Sequence, residues 1–295
     1  QDSLLKPGIY LALYQPSNEY FQFMVNSNDQ IFSFKGSRND VLPKPKGTID
    51  NEVFFNYLKF IEEKSALRKS YNAEIDTLKK YGKDITALND KAKQLDLAVM
   101  SKQLEIIESH PETMTARLLK SNLSIDIPSY EGTEKEIQLQ KYLYYRSHYL
   151  DHIDLADPAN LRTPYLDQRV KYYMEKLTPQ HPDSIIIAVD YILGRMEPSS
   201  ETFQFYTSSF LNKYSISNII GYDVIYVHMI DNYYSVGKAP WVKEENLEKF
   251  IKNADKLRPI LIGEQAPPIN FYDKEGNPVK LYDIESEYTV MIFWA

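Results

Sequence analysis

The sequence predicts an α+β protein that is mostly α. Three observations predict it. Apolar and polar residues alternate between positions 8 and 35, one-sided apolar stripes at helical spacing fill most of residues 50–258, and short β signals return after residue 262. At 295 residues and 43% hydrophobic, the chain has the material for one large or two ordinary globular domains. The pattern divides it into a partial β-module (1–43), an antiparallel helical array (50–258) and a short β-forming segment (262–295).

The β-module comes first. Ile9, Leu11 and Leu13 alternate with Tyr10, Ala12 and Tyr14, and Pro16-Ser17-Asn18 makes a turn. Phe21, Phe23 and Val25 then alternate with polar Gln22 and Asn26, as a half-buried strand requires. A turn over Asn26 to Gln30 leads to a third short strand, Ile31 to Lys35. Three such strands leave an open edge, so they are expected to be the back half of a small β-sandwich whose first strands precede Gln1. Lys44 to Gly47, beside Pro43 and containing Pro45, is expected to be a linker.

Beyond it the spacing becomes helical. Phe54, Tyr57, Leu58 and Ile61 fall at i, i+3, i+4 and i+7, and Asp50 or Asn51 is a suitable cap. The charged stretch Glu62 to Asp96, with sparse Ile75, Leu78, Ile85 and Leu88, predicts a protruding helical hairpin that turns near Gly82. A weak repeat follows: Asp96, Val99, Ile106 and His110-Pro111-Glu112-Thr113 recur as Asp167, Val170, Leu177 and His181-Pro182-Asp183-Ser184. Each copy is expected to be helix, turn, helix, with its proline at the first helical position, where the missing donor costs nothing. Two copies do not name a repeat family. Further helices are expected near 135–151, 200–214, 219–235 and 243–257, with Glu197-Pro198-Ser199 and Lys238-Ala239-Pro240-Trp241 between the later ones.

Composition narrows the function. A net charge of −7 argues against nucleic acid or any other polyanion as partner. No apolar run approaches the roughly 20 residues that span a bilayer. The absence of cysteine excludes disulfides, thiolate metal sites and thiol chemistry within these residues. No G-x-S-x-G, phosphate loop or dinucleotide fingerprint occurs, so no catalytic residue and no cofactor is expected here.

Three constellations remain. His148 and His152 are four apart, so on a helix both would share a face; they are weak metal candidates, because zinc needs a third ligand and the nearby Asp154 and Asp157 lie past the expected helix end. The bland alternative is a helix C-terminus, with His near the negative dipole end and packed on Tyr149. Tyr222, Tyr226, Met229 and Tyr233 form one stripe and Tyr142, Tyr145 and Tyr149 another. Helix–helix core explains such spacing more often than a ligand groove. Asp190, inside an apolar run, is either a structural acid bonded to a Tyr or Arg or an acid of raised pKa.

The last stretch, IGEQAPPINFYDKEGNPVKLYDIESEYTVMIFWA, resembles the opening of a thioredoxin-like module of the TlpA/ResA type. It begins with the IG-x-x-AP pattern, predicts a hairpin of Pro268 to Asp273 with Val279 to Ile284 turning at Lys274 to Asn277, and then an apolar strand from Tyr288 to Ala295 that needs pairing and burial on both faces. In that family a strand ending Phe-Trp-Ala is soon followed by a Cys-x-x-Cys pair. The resemblance makes 262–295 the truncated N-terminal part of such a domain, with Phe293, Trp294 and Ala295 as surroundings of the redox pair. Together with "LLKPGIYLALYQPSNEYFQF", "YYRSHYLDHIDLADPANLRTPYLD" and "NIIGYDVIYVHMIDNYY", it makes nearly the whole chain similar to Bacteroidetes envelope proteins. Those place a β-plus-helical domain of unknown function ahead of a thioredoxin-like domain.

The resemblance implies an exported protein of the periplasm or cell envelope, its signal peptide removed and a lipid anchor upstream; a start at Gln1 without Met agrees with processing. It implies an accessory region that recruits substrate for, or positions, a thiol:disulfide oxidoreductase while having no redox activity itself. Its partners would be periplasmic protein thiols and disulfides or a redox partner. Two alternatives stay open: an envelope module that binds glycan or peptide through the tyrosine-rich helices, and a metal-dependent enzyme built on His148 and His152.

Overall fold

A computed structural model describes residues 4–36, 42–196 and 200–292. Among the described residues it holds nine α-helices and three two-stranded antiparallel sheets, an α+β fold that is mostly α. The chain packs as two compact units, Gln1–Pro179 with Gly194–Thr202, and Gln180–Leu193 with Phe203–Ala295.

In the first unit β1 (Gly8–Tyr14) and β2 (Glu19–Val25) form a hairpin, in register from Gly8 opposite Val25 to Tyr14 opposite Glu19. Asn18, at φ 56°, takes the left-handed turn position that Asn tolerates. Alternation turns Phe21 and Phe23 toward Phe34 and Phe55, with Phe21 and Phe34 edge-on at 5.0 Å, and leaves Leu11, Leu13 and Tyr20 exposed. Met24 is buried as well, which alternation alone does not predict. The cause lies in the first helix: the Asn51 carboxamide accepts from Met24 N at 2.7 Å and donates to Met24 O at 2.8 Å, as a neighbouring strand would.

The third strand is shorter than expected, β3 (Ser33–Lys35), and its partner is β4 (Lys44–Lys46), the stretch expected to be a linker. Pro45 stands opposite Phe34. A strand of three residues at a sheet edge tolerates a proline, which made this stretch read as irregular.

The expected hairpin is formed by α1 (Ile49–Lys80) and α2 (Thr86–Ser109), turning at Gly82 with φ 64°. Thr48, not Asp50 or Asn51, caps α1: its hydroxyl accepts from Asn51 N. Both expected caps are buried inside the first turn and committed to distant backbone. Ile75, Leu88, Ala92 and Leu95 make the dry seam of the hairpin. Next come α3 (Met114–Ser121) and α4 (Glu134–His148), the latter opened by a capping box of Thr133 and Glu136. A 3-10 turn (Pro158–Arg162), α5 (Pro164–Tyr172) and a π turn (Tyr173–Leu177) follow.

The second unit contains α6 (Pro182–Leu193), α7 (Glu201–Ser215) from Phe203 onward, α8 (Asp223–Met229) with its π turn (Ile230–Tyr234), and α9 (Glu244–Leu257). The expected break at Glu197-Pro198-Ser199 lies outside the described residues. The repeat holds as helix–turn–helix in both copies, but only Pro182 opens its helix; Pro111 sits in the turn, and Thr113 caps α3 instead. Ile185, Val189 and Ile192 of α6 and Ile225, Met229 and Ile230 after it are nearly or fully inaccessible and form the core.

After α9 the chain makes the expected hairpin in shorter form, β5 (Asn270–Tyr272) with β6 (Pro278–Lys280). Tyr288 to Ile292 form no strand, contrary to expectation: among the described residues no strand pairs with them. Phe293, Trp294 and Ala295 lie outside the described residues. No described helix is long and apolar enough to cross a membrane.

Candidate functional site

Asp190 sits near the end of α6, at the margin of the core rather than within it, its side chain 44% exposed. His228 of α8 meets it through Nε2 at 2.8 Å, and the Tyr233 hydroxyl donates to the same carboxylate oxygen at 2.7 Å. Asn232 closes the other side: its amide nitrogen lies 3.1 Å from His228 Nδ1 and donates to the His228 carbonyl at 3.0 Å. That contact makes Nδ1 an acceptor and leaves the ring proton on Nε2, directed at Asp190. Both imidazole nitrogens are therefore engaged within the chain. A general base needs a nitrogen within reach of a substrate proton, and His228 offers none in this arrangement.

Burial pushes Asp190 upward, but the hydrogen bonds from His228 and Tyr233 outweigh it and hold the carboxyl below its ordinary range. Both the direction of that shift and the Tyr233 contact agree with the first alternative, an acid bonded to a tyrosine. Burial, and then the Asp190 carboxylate, push the Tyr233 phenol well above its ordinary value. The sequence did not single out His228 as the partner, because 38 residues separate the two.

His148 and His152 do not share a helical face. Helix α4 ends at His148, and His152 lies beyond it. His148 Nδ1 contacts Asp151 at 2.6 Å, and its ring packs on Tyr144 at 4.2 Å, one turn back, rather than on Tyr149. Among the described residues no group of three or more His, Cys, Asp or Glu side chains is placed to hold a metal. His152 instead lines an open cleft of about 760 Å³ in the first unit, with Arg117, Arg195, Asp151 and Asp157. Its charges largely answer one another, Arg117 with Asp157 at 2.9 Å and Arg195 with Asp151 at 3.5 Å.

The tyrosine stripes are core. Tyr222, Tyr226, Met229 and Tyr233 are all buried, as is Tyr149, while Tyr142 and Tyr145 are partly so. Their hydroxyls explain the choice of Tyr over Phe: Tyr142 donates to Leu177 O at 2.7 Å, Tyr222 to Gln180 O at 3.3 Å and Tyr226 to Phe250 O at 3.2 Å. Each ring packs while its tip satisfies a backbone carbonyl. The π turn at 230–234 widens the helix by one residue, which lets adjacent Tyr233 and Tyr234 both face inward.

The 263–292 segment is held by local contacts. Asp273 accepts from Glu275 N at 2.9 Å and Asn277 N at 2.8 Å, which, with Gly276 at φ 85°, sets the hairpin turn. Tyr282 donates to Ala266 O, tying the hairpin to its lead-in. Beyond it Tyr288, Val290 and Ile292 stand largely exposed, at 83%, 83% and 73%. A soluble surface rarely exposes so many large apolar groups together without a partner for them.

Residues 96–258 match the family described as a domain of unknown function (DUF5106). No curated protein matches the chain, and no solved structure does. The match covers more than half of the sequence, from the middle of α2 to the start of the turn after α9, and by it the chain belongs to the DUF5106 family.

Proposed function

We propose that this chain is the accessory region of a periplasmic thioredoxin-like thiol:disulfide oxidoreductase, recruiting substrate or positioning the redox module and doing no redox chemistry itself. The single observation that supports it is the 263–292 segment: a Gly276 hairpin followed by an exposed apolar run of strand-forming residues. Such a run is unsuited to water and suited to the interior of a parallel sheet, where strands read as continuous apolar stretches. The closed Asp190–His228 cluster and the paired charges of the His152 cleft leave no assembled acid–base machinery among the features singled out above, which suits an accessory role. In the parent protein one cysteine thiolate would attack a substrate disulfide, forming a mixed disulfide and releasing the other substrate sulfur as a thiolate. The neighbouring cysteine would then attack that mixed disulfide, releasing the second substrate thiolate and leaving the pair oxidised, with the helical units supplying the surface that holds the substrate.

The coding sequence downstream of residue 295 tests this. A Cys-x-x-Cys pair within a few residues supports the reading; a continuation without cysteine contradicts it.

A further inference from the structure

Helix α2 carries two apolar stripes, and the chain itself covers only one. Leu88, Ala92, Leu95 and Ile106 are buried and Val99 is partly so, along the side that packs within the first unit. A second stripe, Leu97, Met100 and Leu104, is spaced i, i+3 and i+7, so its members share one face. By 3.6 residues per turn it lies roughly 140° around the helix from the first. Its side chains stay open to water, at 49%, 47% and 36% exposure.

The ends of this stripe carry opposite charges. One turn before Leu97 on the same face stands Lys93, and one turn after Leu104 stands Glu108, both exposed. The neighbouring ion pairs use other residues, joining Lys102 to Glu105 and Arg68 to Asp96. A base, three apolar residues and an acid along one face are complementary to the same series reversed. Two copies laid antiparallel about a two-fold axis near Met100 set Leu97 against Leu104 and Met100 against its counterpart. Lys93 then meets Glu108 at both ends. A parallel pair would instead oppose Lys93 to Lys93 and Glu108 to Glu108.

We propose that the outer face of α2 is a self-association surface, on which two copies of this chain pair antiparallel through Leu97, Met100 and Leu104 with a Lys93–Glu108 ion pair at each end. From Lys93 to Glu108 the seam is only about 22 Å long, so the pairing is reversible and depends on concentration. It is independent of the redox reading, because α2 belongs to the first unit and the 263–292 segment to the second.

Sedimentation equilibrium of the whole chain, from low to high micromolar concentration, tests this. The expected result is a monomer–dimer equilibrium. Lys93→Glu and Glu108→Lys should each weaken the dimer by about tenfold or more, because either one sets like charges together at both ends. Mixing the two variants should restore it, since one then carries two acids and the other two bases. Met100→Lys should abolish it by placing two ammonium groups at the axis. A second measurement uses the absence of cysteine from the chain. On mild oxidation Met100→Cys should give a disulfide-linked dimer, whereas Ala98→Cys, exposed but well off the stripe, should not. All these positions are exposed, so folding is not at stake.

A monomer at every concentration overturns the proposal. So does a dimer indifferent to the charge variants, the result that association through the exposed apolar run near Val290 would give. Failure of the mixed variants to pair, or equal cross-linking at the two positions, overturns it as well.

Discussion

The Asp50 carboxylate, in the first turn of α1, accepts from Met114 N at 2.7 Å, the first residue of α3 and 64 positions away. The same carboxylate accepts from Thr115 N at 3.1 Å and from the Thr115 hydroxyl at 2.9 Å. Thr113 takes the next donor, Ala116 N at 3.1 Å, so the opening amides of α3 are all satisfied. A buried carboxylate at the positive end of a helix welds two helices with no sequence proximity. Asn26 joins the cluster by donating to Asp50 at 3.3 Å and to Glu112 O at 2.8 Å, tying in the end of the β-hairpin.

Replacing Asp50 by Ala is expected to cost about 3 kcal/mol, because it strands several buried donors that face a charged acceptor. Thr48→Ala, which removes only a local helix cap, should cost about 1 kcal/mol. Urea unfolding followed by circular dichroism measures both. Equal midpoints for the two variants would show that the Asp50 linkage is not special.

Alkaline titration should reveal a late class of tyrosines. Burial raises Tyr57, Tyr149, Tyr226, Tyr233 and Tyr234, and Tyr233 is pushed further by Asp190. Groups whose folded pKa is raised favour the fold below their unfolded value of 10.0, and that support is lost as pH climbs through the folded values. Absorbance near 295 nm should therefore show these five ionising late, at raised pH and together with unfolding. Tyr233→Phe should remove one residue from the late class. A single transition for all tyrosines would contradict the burial assigned to them.

Asp190 works in the opposite sense. Its folded pKa lies below the unfolded 3.8, so its contribution is present above that value and fades as pH falls through the folded one. Asp190→Asn should flatten the stability loss below about pH 4, by that linkage. Unchanged acid sensitivity in the variant would place the acid-labile groups elsewhere.

His148→Ala/His152→Ala should leave zinc content unchanged and shift stability by less than about 1 kcal/mol, as exposed His–carboxylate contacts contribute little. Stoichiometric zinc in the wild type that disappears in the double variant would restore the metal reading.

Limited proteolysis should cut within 261–266, an exposed stretch without regular structure between the turn after α9 and the hairpin. The helices should remain folded by circular dichroism after the tail is released. Loss of helical signal on that cut would make the tail integral to the second unit.

Much of the helical architecture was legible because amphipathic spacing survives in sequence: the α1–α2 turn at Gly82, the four later helices, and tyrosine stripes that proved to be core. What escaped depended on distance. Asp50 and Asn51 have the chemistry of caps, yet partners in α3 and β2 claim them, and Thr48 takes the local role. Lys44–Lys46 looks like a linker because Pro45 hides a strand that exists only through Ser33–Lys35. Asp190 announced itself as an anomaly in an apolar run, but its partner His228 carries no signal of pairing. The π turns are invisible to a 3.6-residue period, so the adjacent burial of Tyr233 and Tyr234 could not be read in advance. His148 and His152 do not share a helical face because the helix stops at the first of them.

A disulfide-reduction assay tests the central claim most directly. It compares residues 1–295 with the same chain continued through the codons that follow. The account predicts no rate above buffer for 1–295, which lacks cysteine. For the longer chain it predicts a clear rate that disappears when the added cysteines are changed to serine. Reduction by 1–295 itself, or an inert longer chain, would contradict the account.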